Sequence, residues 1–265
     1  MSAFDYKEDL ALAHKLADIA DAITLDRYQA QDLVISTKPD NTPVTDADRA
    51  TEQAITAAIA KDRPHDGVLG EEFGSTHEKA KRYWVIDPID GTKNFMRGVP
   101  TWATLIGLVE RSEDGSEKVV VGVVSAPALS RRWYASEGSG SYVIFAKGAP
   151  KKISVSKVES ISDASITYSD FVGWNEKLSS FRKLLDDSRR TRGLGDFWSH
   201  MLVAEGAVDV AIEPVLALWD MAALDVIVRE AGGQFSGTNG VNGPFQKSGL
   251  STNGKLHTKI VEALS

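Results

Sequence analysis

The sequence of 265 residues contains no cysteine and only five histidines. The absence of cysteine excludes disulfides, thiolate nucleophiles and the cysteine-based zinc and iron–sulfur sites. With so little histidine as well, any metal site must use mainly oxygen ligands. A chain without cysteine is compatible with a reducing compartment, and we expect a cytoplasmic protein.

Excess positive charge and long hydrophobic runs are also missing. Acidic residues outnumber basic ones by 37 to 30, and no block of lysine and arginine is present, so we expect no nucleic-acid partner. No apolar run approaches the roughly 18–20 residues of a membrane-spanning helix. The first nine residues are partly acidic and contain no apolar stretch, which argues against a signal peptide. We therefore expect no association with a membrane.

The order of helical and extended patterns predicts an α/β protein with two unlike halves. Apolar residues at helical spacing predict a helix over about residues 6–30, and a loop with two prolines at 36–43 follows. Thr45 or Asp46 can then cap a second helix. Alternating strands and turns then extend to residue 146, and two pairs of them form hairpins. The best boundary is Gly148-Ala149-Pro150. We predict one half over residues 1–150, with two helices and a mostly antiparallel sheet, and a smaller αβ half over 151–265.

One stretch, Trp84-Val85-Ile86-Asp87-Pro88-Ile89-Asp90-Gly91-Thr92-Lys93-Asn94-Phe95, has the pattern of a site for a cation and an anion together. It begins as a buried strand, presents Asp87 and Asp90, and ends in a polar turn that can open a helix. Carboxylates at a strand end bind hard cations, and the free N–H groups of a helix start bind phosphate. The stretch therefore predicts a metal ion beside a phosphate.

Further acidic residues stand at the ends of predicted elements, namely Glu71, Glu213 and Asp220. Each has a structural explanation of its own, and Asp220 stands where the N-cap of a helix is expected. Glu71 and Glu72 are adjacent at a predicted strand end, so at most one of them should face a shared site. Taken together, the acids favour an oxygen-ligand site for Mg²⁺ or Mn²⁺.

Three segments resemble the inositol monophosphatase family of Mg²⁺-dependent, lithium-sensitive phosphatases. They are Gly70-Glu71-Glu72, the stretch from Trp84 to Phe95, and Trp219-Asp220 with the later Gly232-Gly233. The resemblance covers nearly the whole chain, and the segment from Lys38 to Asp48 also fits. It implies a single domain over residues 1–265, an αβαβα layered sandwich shared with fructose-1,6-bisphosphatase, a small phosphomonoester substrate and a homodimer.

The resemblance also implies a role for individual residues. One metal ion would be held by Glu71, Asp87 and the carbonyl of Ile89, and a second by Asp87, Asp90 and Asp220. A third, weaker ion would bind at Glu71, with Asp48 nearby through water. Thr92 and Glu71 would orient the attacking water, so the catalytic set is Glu71, Asp90 and Thr92. Such a mechanism needs no nucleophile from the protein, because two metal ions activate water and stabilise the leaving oxygen.

The substrate-binding residues expected from the resemblance surround this metal site. They are Glu71, Asp90, Gly91, Thr92, Lys93, Arg192, Asp196, Glu213 and Asp220. Gly91 and Thr92 would offer backbone N–H groups to the phosphate, and Glu213 would contact the alcohol part of the substrate.

Two departures from the inositol-specific pattern point to a substrate class. Lys93 replaces a second threonine, and Gly195-Asp196-Phe197-Trp198-Ser199-His200 replaces a segment of small residues. Both are similar to the bacterial histidinol-phosphate phosphatase branch, which implies hydrolysis of L-histidinol phosphate in histidine biosynthesis. The alternatives are an inositol-1-phosphate or broad sugar and polyol phosphatase, and a regulatory protein that binds metal or phosphate without turnover.

Histidinol phosphate carries an ammonium group that carboxylates would attract. Asp196 and Glu213 are the candidates, although Asp196 could instead cap the following helix. Phe197 or Trp198 could stack on the imidazole ring, but the core is the expected place for Trp198. Arg192 could reach the substrate or lie on the surface.

Overall fold

The computed structural model describes residues 5–39, 41–76 and 79–265 and contains, within them, seven α-helices and two main β-sheets. Six of these helices and the two sheets are stacked in five layers. Residues 1–4, which belong to the segment considered above for a signal peptide, and residue 40, in the predicted proline-containing loop, lie outside the described residues. Among the described helices, none is both long and apolar enough to cross a membrane.

The α-helices are α1 Lys7–Arg27, α2 Asp46–Asp62, α3 Thr92–Met96, α4 Leu178–Asp187, α5 Asp196–Ala204, α6 Leu218–Glu230 and α7 His257–Ala263. The strands are β1 Ile35–Thr37, β2 Pro43–Thr45, β3 Gly67–Gly70, β4 Gly74–Thr76, β5 Arg82–Asp90, β6 Ala103–Arg111, β7 Glu117–Ala126, β8 Arg131–Ser136, β9 Gly140–Phe145, β10 Lys151–Lys152, β11 Ser165–Tyr168, β12 Arg190–Gly193, β13 Val210–Glu213, β14 Gln234–Ser236 and β15 Gly249–Thr252.

The first sheet has eight strands in the order β10-β9-β8-β7-β6-β5-β3-β4. Only β3 and β5 pair in parallel within it, and the other neighbours are antiparallel. The prediction of a mostly antiparallel sheet in the first half is therefore confirmed. The parallel pair matters for the site, because it brings the C-terminal ends of β3 and β5 to the same edge of the sheet.

Both faces of the first sheet are covered. The helices α1 and α2 pack on one face, where Leu16 and Ile55 join a core with Ile106. The opposite face packs against α6, where Met221 joins a second core with Leu105. Neighbouring residues of a strand point to opposite faces, so a strand buried on both sides reads as a continuous apolar run, as β6 does.

The helix α6 approaches the first sheet unusually closely. A Cβ atom placed on Gly122 of β7 would lie 2.5 Å from Cγ1 of Val226 and 2.6 Å from the carbonyl oxygen of Ala223. Only glycine leaves room for the helix at this distance. The contact holds the start of α6, and with it Asp220, beside the end of β5.

The second sheet has five strands in the order β12-β11-β13-β15-β14. One face packs against α5 and α6, and the other is covered by α4 and α7 in a third core that includes Phe181 and Ile260. The layers are thus α1 and α2, the first sheet, α5 and α6, the second sheet, and α4 and α7. The predicted αβαβα sandwich is confirmed.

Several local predictions are wrong. The basic residues 189–192 follow a helical pattern at 178–187 and were expected to end that helix, but residues 190–193 form the edge strand β12. The loop at 36–43 contains parts of the short hairpin of β1 and β2, and strands β14 and β15 were not predicted. These strands contain only three or four residues, too few for a periodic pattern, and they form because neighbouring strands supply the hydrogen bonds.

We infer that the chain forms one domain. The helix α6, from the second half of the sequence, fills the space between the two sheets and contributes Met221, Leu224 and Val228 to a core built on the first sheet. The strand β10 also extends the first sheet beyond residue 150.

Candidate active site

Three carboxylates meet where β5 ends and α6 begins. Asp87, Asp90 and Asp220 each present an oxygen within 4.8 Å of the others. Residues three apart on a regular strand point to opposite faces, which would separate Asp87 from Asp90. The pairing of β5 with β6 shifts register between these two residues, and this irregularity turns both carboxylates to one site.

Backbone N–H groups hold each carboxylate in place. The N–H of Ile89 donates to Oδ1 of Asp87 at 3.0 Å, and that of Phe197, at the start of α5, donates to Oδ2 of Asp90 at 2.6 Å. Asp220 accepts from the N–H of Ala217 at 2.7 Å. The prediction that Asp220 is an N-cap is wrong, since α6 begins at Leu218 and Asp220 is its third residue. Its side chain instead reaches back to the residue before the helix, as the third residue of a capping box does.

The electrostatics of the cluster favour a bound cation. Burial raises the pKa values of Asp87 and Asp90 well above their usual range, and neighbouring carboxylates add to the shift. Burial also raises the pKa of Asp220 to about 7, with Glu71 contributing. Like charges this close disfavour ionisation, and a divalent cation among them would reverse that effect. The donors are all oxygen atoms, as Mg²⁺ prefers, so the residues present could hold such an ion.

Glu71 reaches the cluster from the turn that follows β3. The negative charge of its carboxylate helps to raise the pKa of Asp87. Its Oε1 atom accepts a hydrogen bond from Nζ of Lys38 at 2.7 Å. Lys38 also pairs with Glu72 at 2.5 Å. Both glutamates contact the same lysine because β3 ends at Gly70 and the alternation of a strand does not extend into the turn.

Lys38 is a site residue, although a lone lysine in the polar loop predicted at 36–43 is expected to lie in solvent. Its side chain is only 17% exposed. Burial lowers the pKa of Lys38, but the bonds to Glu71 and Glu72 outweigh burial and raise it above its ordinary value. The sequence does not reveal this contact, because Lys38 lies 33 residues before Glu71 and no local pattern links the two.

Thr92 links the cluster to the second helix. Its hydroxyl donates to the carbonyl of Ile89 at 3.0 Å and lies 3.4 Å from Oδ1 of Asp48. Asp48 is buried in a capping box with Thr45, and burial raises its pKa to about 6. The helix α2 therefore contributes a carboxylate to the floor of the site, and Thr45, rather than Asp46, is its N-cap.

Gly91 forms the corner between β5 and α3. Its φ angle is +86°, and a Cβ atom there would lie 2.9 Å from the carbonyl oxygen of Thr101. Within the described residues, the N–H groups of Gly91 and Thr92 donate to no backbone carbonyl. These groups are free to bind an anion next to the carboxylate cluster.

A second acidic surface lies beside the cluster. Burial raises the pKa of Glu213 to about 8, and the hydroxyl of Ser169 donates to its carboxylate at 2.7 Å. Asp196 accepts from Nδ2 of Asn94 at 3.2 Å. Burial raises the pKa of Asp196, and the nearby ammonium of Lys93, whose side chain is exposed, opposes the shift.

The alternative role of Asp196 as a helix N-cap is wrong. The N-cap of α5 is Gly195, and Asp196 is the first residue of the helix, with a φ angle of +50°. Aspartate tolerates this left-handed conformation better than most residues. The side chain therefore points to α3 rather than to its own helix, a contact across 102 residues that no local pattern reveals.

The side chains of three other candidates are directed away from the carboxylates, although the backbone N–H of one of them, Phe197, donates to Asp90. Arg192 is exposed on the edge strand β12, and its Nη1 atom donates to the carbonyl of Thr191. Phe197 is buried in the core, and the ring of Trp198 packs against Trp133 and under the guanidinium of Arg131. The core interpretation of Trp198 is the correct one.

Comparison with known proteins agrees with this geometry. The model of the inositol monophosphatase family matches residues 5–265. The chain is 51% identical to a histidinol-phosphatase of Streptomyces coelicolor over 98% of both proteins. It is also 51% identical to a histidinol-phosphatase of Mycobacterium tuberculosis, over 97% of this chain and 98% of the relative.

Solved structures show the same architecture. An inositol monophosphatase of Thermotoga maritima superposes with a TM-score of 0.83 at 30% identity, over 97% of this chain and 96% of its own. The extragenic suppressor protein SuhB of Bartonella henselae superposes with a TM-score of 0.85 at 28% identity, over 98% of this chain and 99% of its own.

Proposed function

The chain belongs to the inositol monophosphatase family, and we propose that it hydrolyses L-histidinol phosphate to L-histidinol and phosphate with Mg²⁺. The observation that carries the proposal is the meeting of Asp87, Asp90 and Asp220 at one point, next to the acidic surface of Asp196 and Glu213. The first group suits a metal ion and the second suits a positively charged leaving group. The reaction would supply a step of histidine biosynthesis.

The metal would be bound by the carboxylates of Glu71, Asp87, Asp90 and Asp220, together with the carbonyl of Ile89. Two or three Mg²⁺ ions, or Mn²⁺ in their place, would supply an activated water and neutralise the charge on the leaving oxygen. The buried carboxylates with raised pKa values support this assignment, because they are costly without a cation.

The protein's own groups would position the reactants. Glu71 and Thr92 would orient the attacking water, and the hydrogen bond from Thr92 to the carbonyl of Ile89 keeps the hydroxyl directed at the cluster. Lys38, which pairs with Glu71 and Glu72, would partly neutralise the negative charge of these two carboxylates. The free N–H groups of Gly91 and Thr92 would hold the phosphate, since phosphoryl transfer depends mainly on position and charge.

Recognition of the leaving group would fall to the acidic surface. Glu213 is buried and accepts one hydrogen bond from Ser169, so its second oxygen can accept one from an ammonium group. Asp196, held by Asn94, would add negative charge, and Lys93 would partly oppose the rise that burial causes in the pKa of Asp196. Arg192 would approach only if a substrate extends to the edge of the second sheet.

An inositol-1-phosphate phosphatase is the second candidate, supported by the solved inositol monophosphatase structures at about 30% identity. The relatives at 51% identity favour histidinol phosphate. A binding protein without turnover is the weakest reading, because Glu71 and Thr92 are both present beside the cluster. We further propose that the protein is cytoplasmic and forms a homodimer. Sedimentation equilibrium would test the homodimer.

The decisive experiment compares kcat/KM for L-histidinol phosphate, inositol 1-phosphate and a phosphonucleotide at saturating Mg²⁺. We expect histidinol phosphate to be preferred by at least about 100-fold, because a buried carboxylate beside the substrate ammonium discriminates strongly against neutral alcohols. Equal values for all three would refute the substrate assignment, and no hydrolysis of any would refute the phosphatase.

A further inference from the structure

A buried side chain of α2 holds the loop between β3 and β4, which consists of Glu71, Glu72 and Phe73. The N–H of Glu72 donates to Oε2 of Glu52 at 2.8 Å, and the N–H of Phe73 donates to Oε1 of the same carboxylate at 3.0 Å. The N–H of Glu71 donates to the carbonyl of Ile86 on β5 at 3.2 Å. Glu52 is only 1% exposed. One buried carboxylate therefore accepts hydrogen bonds from two of the three N–H groups in this loop.

The position of Glu52 depends on the glycine that ends β3. A Cβ atom placed on Gly70 would lie 1.8 Å from Oε1 of Glu52, 2.3 Å from its Cδ atom and 2.8 Å from Oε2. Any larger residue would therefore displace the carboxylate from the loop. The φ angle of Gly70 is not in the left-handed region, so the backbone itself does not require glycine here. Gly70 is needed for the space that it leaves to Glu52.

The same side of α2 contacts the active site at a second point. Asp48 and Glu52 are four residues apart in this helix, so they lie on one face. Asp48 lies 3.4 Å from the hydroxyl of Thr92, in the corner that follows β5. Glu52 holds the loop that follows β3. One helix thus contacts both segments that lead into the carboxylate cluster.

We propose that Glu52 is a positioning residue for the metal site, whose carboxylate fixes the loop so that the side chain of Glu71 faces Asp87. The inference rests on the proposed function, in which Glu71 is a metal ligand. Without Glu52, two residues of the loop lose their hydrogen bonds, and Glu71 faces the cluster in only a fraction of the molecules. The apparent affinity for the cation falls by that fraction. Groups that orient the ligands of a metal act on its affinity in this way without contacting it.

The test measures binding of Mn²⁺ to the full chain without substrate, from the electron paramagnetic resonance signal of the free ion. The Tm of the metal-free protein is measured beside it. Glu52→Gln keeps the shape of the side chain but turns an amide NH₂ group towards one of the two N–H groups, and Glu52→Ala removes both acceptors. We expect the Kd for Mn²⁺ to rise about tenfold in Glu52→Gln and further in Glu52→Ala.

The matched control is Asp66→Asn, at the opposite end of β3 from the loop. Asp66 directly precedes this strand, and its carboxylate accepts from Nε1 of Trp84 at 3.0 Å. The control therefore changes a carboxylate that holds the same part of the sheet and leaves the loop intact. Its Kd for Mn²⁺ should equal that of the wild type, even if its Tm is lower.

Gly70→Ala tests the same contact without changing Glu52. The added Cβ atom takes the space of the carboxylate, so the Kd for Mn²⁺ should rise about tenfold, as for Glu52→Gln. In the Glu52→Ala background this space is vacant. The double variant should therefore have the Kd of Glu52→Ala alone, since residues in direct contact have non-additive effects. If Glu52→Ala does not fold, Glu52→Gln and Gly70→Ala still test the proposal.

An unchanged Kd for Mn²⁺ in Glu52→Gln and Gly70→Ala, with wild-type binding intact, would overturn the proposal. A fall in Tm alone would then limit Glu52 to a structural role. The same rise in Kd in Asp66→Asn would also overturn it, because the effect would not be specific to the loop. A wild-type chain that binds no Mn²⁺ would instead refute the metal assignment of the proposed function, and this inference with it.

Discussion

Replacing Glu213 with glutamine tests whether the active site recognises a cationic leaving group. Glutamine has nearly the same shape, and its carbonyl oxygen can keep the 2.7 Å hydrogen bond from Ser169. A bound ammonium group would favour the ionised form of Glu213, whose pKa burial raises to about 8 in the free protein. The substitution therefore removes the negative charge that Glu213 would carry beside a bound cation, and little else. If the substrate carries an ammonium group at this position, the loss should appear with that substrate alone.

The size of the effect follows from burial. Two opposite charges about 4 Å apart attract by about 4 kcal/mol at an effective dielectric constant of about 20. Desolvation of both groups offsets part of this attraction, and a net contribution of about 2 kcal/mol is typical of close buried pairs. Since about 1.4 kcal/mol is a factor of ten, Glu213→Gln should lower kcat/KM for histidinol phosphate about 30-fold. For a neutral phosphomonoester the change should be within about threefold, because no charge pair is lost.

The assay is phosphate release from both substrates at saturating Mg²⁺, for wild type, Glu213→Gln and Asp209→Asn. Asp209 is a matched control, a buried carboxylate that accepts from the N–H of Ser165 at 2.6 Å and also bonds to Ser156, away from the carboxylate cluster. It should affect both substrates equally. Equal losses on both substrates in Glu213→Gln would refute recognition of the cation by this residue.

The pH dependence gives an independent check on the same group. Burial raises the pKa of Glu213 to about 8 in the folded protein, from 4.5. The folded state thus holds a proton that the unfolded chain releases, so this group makes stability fall as the pH rises from about 4.5 to about 8. Glu213→Gln should remove that slope in thermal unfolding of the metal-free protein. An unchanged slope would show that Glu213 is already ionised.

Three further tests probe the metal, the phosphate corner and the leaving group. Asp90→Asn or Asp220→Asn should lower kcat at least about 100-fold and reduce the rise in Tm on adding Mg²⁺, because each removes a charged ligand; near-normal turnover at saturating Mg²⁺ would contradict the metal assignment. Gly91→Ala should destabilise the fold by about 1–3 kcal/mol in urea unfolding, since alanine is strained at a φ of +86° and its Cβ meets the carbonyl of Thr101; an unchanged midpoint would show that the corner relaxes. Asp196→Asn keeps the left-handed backbone and should lower kcat/KM for histidinol phosphate about tenfold more than for a neutral phosphomonoester; an equal loss on both would limit Asp196 to a structural role.

The sequence revealed the residues of the carboxylate cluster because their neighbours in the chain define them. Asp87 and Asp90 follow an apolar strand, and Asp220 opens an apolar helix, so strand and helix patterns locate all three. The helices α1, α2 and α4 were also predictable, since each buries one face at regular spacing over at least ten residues.

Other parts of the site depend on contacts between distant segments. Lys38 meets Glu71 across 33 residues, and Asn94 meets Asp196 across 102. Neither contact produces a periodic pattern in the sequence. A lysine in a polar loop is therefore predicted to lie in solvent, and an aspartate before a helix is predicted to be its N-cap. The short strands β12, β14 and β15 are equally difficult to predict from the sequence. Pairing with neighbouring strands, rather than the β-propensity of their own residues, keeps them extended.

By itself, the sequence determined the chemical class of the site: the apolar elements that end in Asp87, Asp90 and Asp220, the glycine corner at Gly91, and the absence of cysteine. Tertiary structure decided how these groups are used. The register shift in β5 turns two carboxylates to one side, and the close packing of α6 on the first sheet brings in the third. Burial then raises the pKa values, which is a property of the assembled layers and of no single segment.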